Sequence, residues 1–214
     1  MMECRAQVYG DELCGSVSLC SNLTNTIYYE QQRQNTKCME TGIENHHRRG
    51  IGHSGCAGDY RLCGMKRSVT LIVVHCTATR QDRDFTEQDL LRCHRGQGMQ
   101  CIGYHFYIRK DGYIHTTRAL DKAGAHARGF NSHSIGIAYE GGLDAQGRPA
   151  DTRTQQQKYS MRALIRCLKT DFSIARVCGH RDLSPDLNAN GVVEPQEWLK
   201  QCPCFDVAED DWCQ

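Results

Sequence analysis

The stretch Val69-Thr-Leu-Ile-Val-Val-His75 decides the fold class of this chain. It is apolar or β-branched on both alternating faces, a pattern typical of a central strand that is covered by other structure on both sides. The strand ends in a histidine, a side chain able to bind a metal. We therefore predict a buried strand that delivers His75 to the edge of a covered sheet.

Helix and strand patterns alternate along the chain after this strand. Thr86 begins a capping sequence, and we predict a helix from there to about Gly96. The turn Asp111-Gly112 lies between two strand patterns and predicts a hairpin. Further patterns predict strands over residues 104–109, 113–117, 134–139 and 174–178 and a helix over residues 154–171. This order favours an α/β fold, with a mixed central β-sheet flanked by helices.

The bulk composition is that of one ordinary soluble domain with some additional chain. The 214 residues carry a formal net charge of +1 and are 39% hydrophobic. No apolar run is long enough to span a bilayer, and the N-terminus lacks the apolar core of a signal peptide. We expect a monomer with no nucleic-acid partner and no membrane insertion, synthesised in the cytoplasm.

Residues 1–64 differ from the rest of the chain in having no sustained helix or strand periodicity. They hold six of the 14 cysteines, none in a C-x-x-C spacing, and we expect reduced thiols. We predict a poorly ordered, cysteine-containing extension before a catalytic domain over residues 65–214. The alternative is that the natural product starts at Met65, and the sequence leaves both interpretations open.

Three metal-binding side chains follow the predicted strands. His75 ends the first strand, His180 follows the last one, and Cys202 comes later in the chain. Imidazole and thiolate are ligands that zinc prefers, and three protein ligands are typical of catalytic zinc with one open position. A fourth ligand from Cys76 or Cys204 would instead make the site structural. The spacing alone leaves catalytic and structural zinc open.

The segment from Asp186 to Glu197 satisfies the calcium-loop pattern D-x-[DN]-x-[DN]-G-x5-E. Pro185 disfavours a helix leading into this loop, and the small number of carboxylates would weaken the affinity for calcium. An Asn/Gly-rich turn is the alternative interpretation. If calcium binds, its oxygen ligands come from Asp186, Asn188, Asn190, Val192 (through its carbonyl), Glu197 and, as a further candidate, Glu194.

Five separated blocks lie between about residues 68 and 207. They are Leu71-Ile-Val-Val-His75-Cys-Thr-Ala-Thr79, Gly103-Tyr-His-Phe-Tyr-Ile108, His126-Ala-Arg-Gly-Phe-Asn131 with Ser134-Ile-Gly-Ile137, Gly179-His-Arg-Asp182 and Lys200-Gln-Cys-Pro-Cys-Phe-Asp206. Together they resemble the N-acetylmuramoyl-L-alanine amidase family, which includes phage amidase-type lysozymes and peptidoglycan recognition proteins. The resemblance implies zinc-dependent hydrolysis of the amide between N-acetylmuramic acid and L-alanine in peptidoglycan. It also implies that His75, His180 and Cys202 hold the zinc.

The same resemblance places Tyr104 and Lys200 beside the scissile amide and makes His126 a substrate-binding residue of the groove. An ordinary loop residue is the other interpretation of His126. Unperturbed tyrosine and lysine titrate near pH 10, so neither is a ready base at neutral pH. We therefore expect both to stabilise the oxyanion. Tyr104 also alternates with Phe106 and Ile108, so a core aromatic is the other interpretation.

Two further functions stay open at this level. One is a module that binds peptidoglycan without cutting it, although the presence of Cys202 favours catalysis. The other is a structural zinc protein. For the amidase, the missing signal peptide favours a phage-type enzyme that reaches the cell wall after release, although export by another route would also serve.

Overall fold

The computed structural model describes residues 67–210 and Trp212. The extension predicted over residues 1–64 lies outside this part of the chain. The described residues form strands and α-helices in the order β1 (Leu71–Cys76), β2 (Thr79–Arg80), α1 (Glu87–Gly96), β3 (Phe106–Ile108), β4 (Ile114–Thr116), β5 (Ser134–Tyr139), β6 (Gly142–Leu143), α2 (Gln155–Asp171) and β7 (Arg176–Gly179). Two short 3-10 helices follow, at Arg181–Leu183 and Pro195–Glu197. Neither α-helix in the described part of the chain is long and apolar enough to cross a membrane.

The central sheet has five strands in the order β4-β3-β5-β1-β7. Strands β3, β5, β1 and β7 run parallel, and β4 pairs antiparallel with β3. A separate two-stranded sheet joins β2 to β6. The predicted α/β fold with a mixed central sheet is confirmed. The strand predicted over residues 104–109 is shorter, because only Phe106–Ile108 pairs with both neighbours.

The two central strands β1 and β5 are buried along their whole length. Their parallel register places Val73 beside Gly136 and His75 beside Ala138. Side chains of paired residues lie on the same face of the sheet. His75 therefore shares its face with Gly136 and Ala138 of β5, which have no side chain or a small one. The sheet therefore leaves room on this face, next to the end of β1.

Both helices begin with a reciprocal capping box. In α1, Thr86 caps the helix and Asp89 returns the hydrogen bond, and Thr154 and Gln157 do the same for α2. Leu90 is the buried apolar residue of α1, and it packs with Ile102, Tyr107 and Ala138. Helix α2 buries a longer stripe, made of Gln157, Met161, Leu164, Ile165, Cys167 and Leu168.

Glu140 follows β5 and is fully buried. Its carboxylate accepts hydrogen bonds from Arg109 Nε at 2.7 Å and from the backbone N–H groups of Phe85 (2.7 Å) and Lys110 (3.1 Å). Its own backbone carbonyl accepts a bond from Gln157 Nε2 at 3.0 Å. This one residue therefore connects the segment before α1, the β3 hairpin and the start of α2.

Candidate active site

Three side chains from distant parts of the chain converge at one end of the sheet. His75 lies on β1, His180 directly follows the neighbouring strand β7, and Cys202 lies on the C-terminal segment. Their ligand atoms all lie within 4.8 Å of one another, and His75 Nδ1 is 3.8 Å from Cys202 Sγ. In a tetrahedral zinc shell, a nitrogen and a sulfur ligand are about 3.6 Å apart. The donor set and its spacing therefore fit zinc.

The backbone around Cys202 is held against the sheet by hydrogen bonds. Its sulfur accepts a bond from the backbone N–H of Cys76 at 3.3 Å, and its carbonyl accepts one from the N–H of Arg181 at 2.8 Å. The hydroxyl of Tyr139 donates to the carbonyl of Pro203 at 2.7 Å. These bonds position the thiol beside the end of β1.

Cys76 and Cys204, the two alternative zinc ligands, lie outside this cluster. Cys76 follows His75 in β1, so its side chain points to the opposite face of the sheet. There its sulfur lies 3.8 Å from Cys204 Sγ. Hydrogen bonding with Cys202 raises the pKa of Cys76 to about 12, so this thiol stays protonated at neutral pH. Among the described residues, the metal-binding group contains three members and no fourth ligand.

His126 orients His75 from the side away from Cys202. His126 Nδ1 lies 3.0 Å from His75 Nε2, and His126 Nε2 lies 3.4 Å from the Ser134 hydroxyl. Its imidazole occupies the space above Gly136, where a Cβ would come within 2.6 Å of the ring. The hydrogen bond directs Nδ1 of His75 toward Cys202, which is the arrangement a metal-ligating histidine needs.

The environment keeps both histidines of the cluster neutral. Burial lowers the pKa of His75 well below its usual value, and the neighbouring His126, His180 and Lys200 lower it further. Burial and the charge of Lys200 lower the pKa of His180 to about 4. Neutral imidazole is the form that binds metal, so the site is ready for a cation at neutral pH.

A groove of about 560 Å³ borders the cluster. Residues 125–131 form one wall, and the other wall includes His180, Leu183, Ser184, Leu199 and Lys200. Lys200 is exposed, so its ammonium can reach a ligand in the groove. The volume lies in the range typical of sites for small or extended ligands. His126 lines this groove as well as contacting His75.

Tyr104 lies on the side of the cluster that faces helix α1. Its ring centroid is 4.9 Å from that of His75 and 5.3 Å from that of His94. The ring is partly buried against the apolar cluster of Leu90 and Tyr107. Burial raises the pKa of Tyr104 above its usual value, and the nearby Cys202 raises it further. The hydroxyl therefore stays protonated and can only act as a hydrogen-bond donor or acceptor near neutral pH.

The family of the chain follows from comparison with known proteins. A family model described as N-acetylmuramoyl-L-alanine amidase matches residues 65–203. The chain belongs to this family. The amidase is 34% identical to the endolysin of Klebsiella phage KP32 over 142 residues, which are 66% of this chain and 85% of that protein. The resemblance and the enzyme class inferred from the sequence are thereby confirmed.

Solved structures agree with this assignment. The amidase is 33% identical to the endolysin N-acetylmuramoyl-L-alanine amidase LysCS from Clostridium intestinale, with a TM-score of 0.51 over 65% of this chain and 78% of that chain. It also matches the peptidoglycan recognition protein PGRP-SA of Apis mellifera, at a TM-score of 0.50 and 20% identity over 66% of this chain and 80% of that one. The latter likeness concerns the fold alone.

The site residues predicted from the five amidase-like blocks lie close together in the structure. The residues of the predicted calcium loop lie apart from them. His75, His180 and Cys202 form the cluster, Tyr104 and His126 contact His75, and Lys200 lines the groove. The loop from Asp186 to Glu197 lies between His180 and Lys200 along the chain and contributes nothing to the metal cluster.

Sequence reasoning missed the two glycines that make room for His126. A Cβ at Gly124 would lie 2.3 Å from the His126 ring, and one at Gly136 would lie 2.6 Å from it. The missing side chains allow the imidazole to lie flat against β5 and reach His75. A glycine inside the strand pattern 134–139 was the available signal, because glycine in a strand marks a close approach.

Proposed function

We propose that this amidase hydrolyses the amide bond between N-acetylmuramic acid and L-alanine in peptidoglycan, with one zinc ion held by His75, His180 and Cys202. The observation that carries the proposal is the convergence of two neutral imidazoles and a thiol beside a groove. Three protein ligands are typical of catalytic rather than structural zinc. The family match and the endolysin similarity support the substrate class.

Zinc, when bound, would supply a Lewis acid for the scissile carbonyl and lower the pKa of a water molecule. The protein prepares this site with residues of its own. His126 holds His75 in one orientation through the 3.0 Å hydrogen bond to Nε2. The backbone N–H of Cys76 donates to the Cys202 sulfur and so holds it beside the end of β1.

Tyr104 and Lys200 would stabilise negative charge on the scissile carbonyl oxygen. The raised pKa of Tyr104 keeps its hydroxyl proton available for donation to the oxyanion. Lys200 adds a positive charge from the groove wall, on the same side as His180. Cleavage adds the elements of water, leaving a carboxylate on the muramic acid lactyl group and a free α-amino group on L-alanine.

The groove would hold the glycan and stem peptide on either side of the scissile bond. We infer that residues 65–214 carry the activity, because the family model matches residues 65–203. Action on the cell wall after release from the cell, as expected of a phage-type enzyme, is consistent with the similarity to phage endolysins.

The test is the release of free stem peptide from purified peptidoglycan, followed by mass spectrometry and by labelling of the new alanine amino group. We expect release by the zinc-loaded chain and none by Cys202→Ala. The exposed thiol of Cys101 provides a matched control, and Cys101→Ala should keep the activity. Binding of peptidoglycan by a folded, zinc-loaded protein without release would reject hydrolysis in favour of a binding module.

A further inference from the structure

The loop over residues 186–197 gathers oxygen atoms around Asp186. Asp186 Oδ2 accepts a hydrogen bond from the backbone N–H of Gly191 at 2.7 Å. Asp186 Oδ1 is shielded from solvent and has no hydrogen-bond partner among the residues that the structure describes. A shielded carboxylate oxygen without a partner costs folding free energy unless a ligand compensates it.

The neighbouring asparagines present further oxygens in the same loop. Asn188 Oδ1 accepts from the backbone N–H of Asn190 at 2.9 Å, and Asn190 Oδ1 accepts from that of Val192 at 2.8 Å. Each amide oxygen has a second lone pair that these bonds leave unused. The loop therefore offers neutral oxygen ligands at alternate positions beside Asp186.

Glu197 closes the loop from its far end. It is only 6% exposed, and its Oε1 accepts from the backbone N–H groups of Leu187 at 2.8 Å and Asn188 at 3.3 Å. Its Oε2 accepts from the N–H of Glu194 at 2.8 Å, which leaves one acceptor site on that oxygen. A buried carboxylate normally faces a cation.

Within the described part of the chain, no cationic side chain pairs with this charge. Asp186, Glu194 and Glu197 place three carboxylates within twelve residues. Over residues 67–210, no lysine, arginine or histidine forms an ion pair with any of them. N–H groups donate to these carboxylates, but no described cation balances their charge. The shielded, unpartnered oxygen of Asp186 and this unbalanced charge both point to an external cation.

We propose that this loop binds one calcium ion, at a site separate from the zinc cluster. All the available ligands are oxygens, which suits a hard cation and disfavours zinc. The twelve-residue spacing, with Gly191 at the sixth position, is that of a calcium loop. The ligands are Asp186 Oδ1, Asn188 Oδ1, Asn190 Oδ1, the carbonyl of Val192, and the carboxylates of Glu194 and Glu197. Two asparagines in place of aspartates reduce the charge, so we expect a Kd of about 10 μM to 1 mM.

Calcium binding would stabilise the segment that leads to Lys200 and Cys202. The two ends of the loop meet where Ser184 Oγ accepts from the backbone N–H of Leu199 at 3.1 Å. The guanidinium of Arg181 also lies 4.0 Å from the Trp198 ring centroid. A cation that joins Asp186 to Glu197 would therefore rigidify the connection between His180 and Cys202. The proposal stands whether or not the zinc site is catalytic.

The test uses the full chain, passed over a chelating resin and reloaded with one equivalent of zinc. Calcium chloride or magnesium chloride is then titrated by calorimetry, and the melting temperature is recorded with each. At a calcium concentration of about 50 times Kd, we expect a rise in melting temperature of about 5 °C or more. Magnesium should give a much smaller rise, because it demands a smaller and more rigid octahedral shell.

Three variants separate a calcium site from an ordinary turn. Asp186→Asn keeps an acceptor for the Gly191 N–H and should abolish the calcium-dependent rise. Asn190→Asp keeps its acceptor for Val192, adds a carboxylate and should tighten calcium binding about tenfold. Asp111→Asn changes an exposed turn carboxylate elsewhere and should leave the rise unchanged. Absence of calcium binding in the unmodified chain, or an unchanged calcium affinity in both loop variants, would overturn the proposal.

Discussion

Replacement of His126 by alanine removes the side chain that orients His75, the first of the proposed zinc ligands. The lost contact is the 3.0 Å hydrogen bond between His126 Nδ1 and His75 Nε2. Loss of such a supporting hydrogen bond lowers metal affinity about 10- to 100-fold, or about 1.4–2.8 kcal/mol. Since the His126 ring fills the space above Gly136, its removal also leaves a void that lets His75 rotate.

The zinc affinity of the variant is measured by competition with a chromophoric chelator. We expect His126→Ala to release zinc about 10- to 100-fold more readily than the unmodified chain. Gly136→Ala should act in the same direction, because its methyl group would lie 2.6 Å from the His126 ring and displace it. His133→Ala removes a histidine that stacks near Phe130, outside the cluster, and should change nothing.

Far-UV circular dichroism establishes that each variant is folded before its zinc affinity is compared. If folded His126→Ala held zinc as tightly as His133→Ala, the hydrogen bond would not orient His75. The role we assign to His126 would then be wrong, and a direct contact with substrate would be the remaining role for this side chain. A reduced kcat with unchanged zinc affinity would indicate the same.

Three other predictions follow from the structure. Tyr104→Phe removes the protonated hydroxyl beside His75 and should lower kcat about 10²- to 10³-fold while the zinc content stays constant. Initial rates equal to those of the unmodified amidase would refute the role of the Tyr104 hydroxyl. Glu140→Ala leaves Arg109 Nε and the backbone N–H groups of Phe85 and Lys110 without their buried acceptor, and should lower the free energy of unfolding by about 3–5 kcal/mol in urea denaturation. Asp82→Ala removes an exposed ion pair and should lower the free energy of unfolding far less, and equal losses in the two variants would contradict the role assigned to Glu140. Burial lowers the pKa of His105 to about 4, whereas the unfolded chain takes up this proton near pH 6.5. His105 alone should therefore make the free energy of unfolding of the zinc-free protein fall by about 3 kcal/mol between pH 6.5 and pH 4. The pKa values of His75, His126 and His180 are lowered too, so these side chains add to the fall, and a flat profile would show that the buried histidines are protonated in the fold.

The fold and the two histidines of the candidate metal cluster were largely predictable because their signals are local. The apolar run of β1 indicates a strand covered on both faces, and the structure buries all of Leu71–Cys76. His75 and His180 end strands β1 and β7, which are parallel neighbours, so their carboxyl ends meet at one edge. The capping boxes at Thr86 and Thr154 locate the helix starts.

The remaining features depend on the register between distant strands. The contact between His126 and His75 requires Gly136 to lie next to Val73, and no local pattern specifies that pairing. The same holds for Cys76 and Cys204, which are 128 residues apart in sequence. The two-residue strands β2 and β6 are too short to have a periodicity of their own.

The central claim is that one zinc ion at His75, His180 and Cys202 is required for cleavage. The most direct test is to strip the chain of metal and add zinc in steps while measuring release of stem peptide from peptidoglycan. We predict that activity rises linearly and levels off at one equivalent of zinc, with no recovery in His180→Ala. Full activity in the metal-free chain, or full recovery of activity in His180→Ala, would contradict the claim.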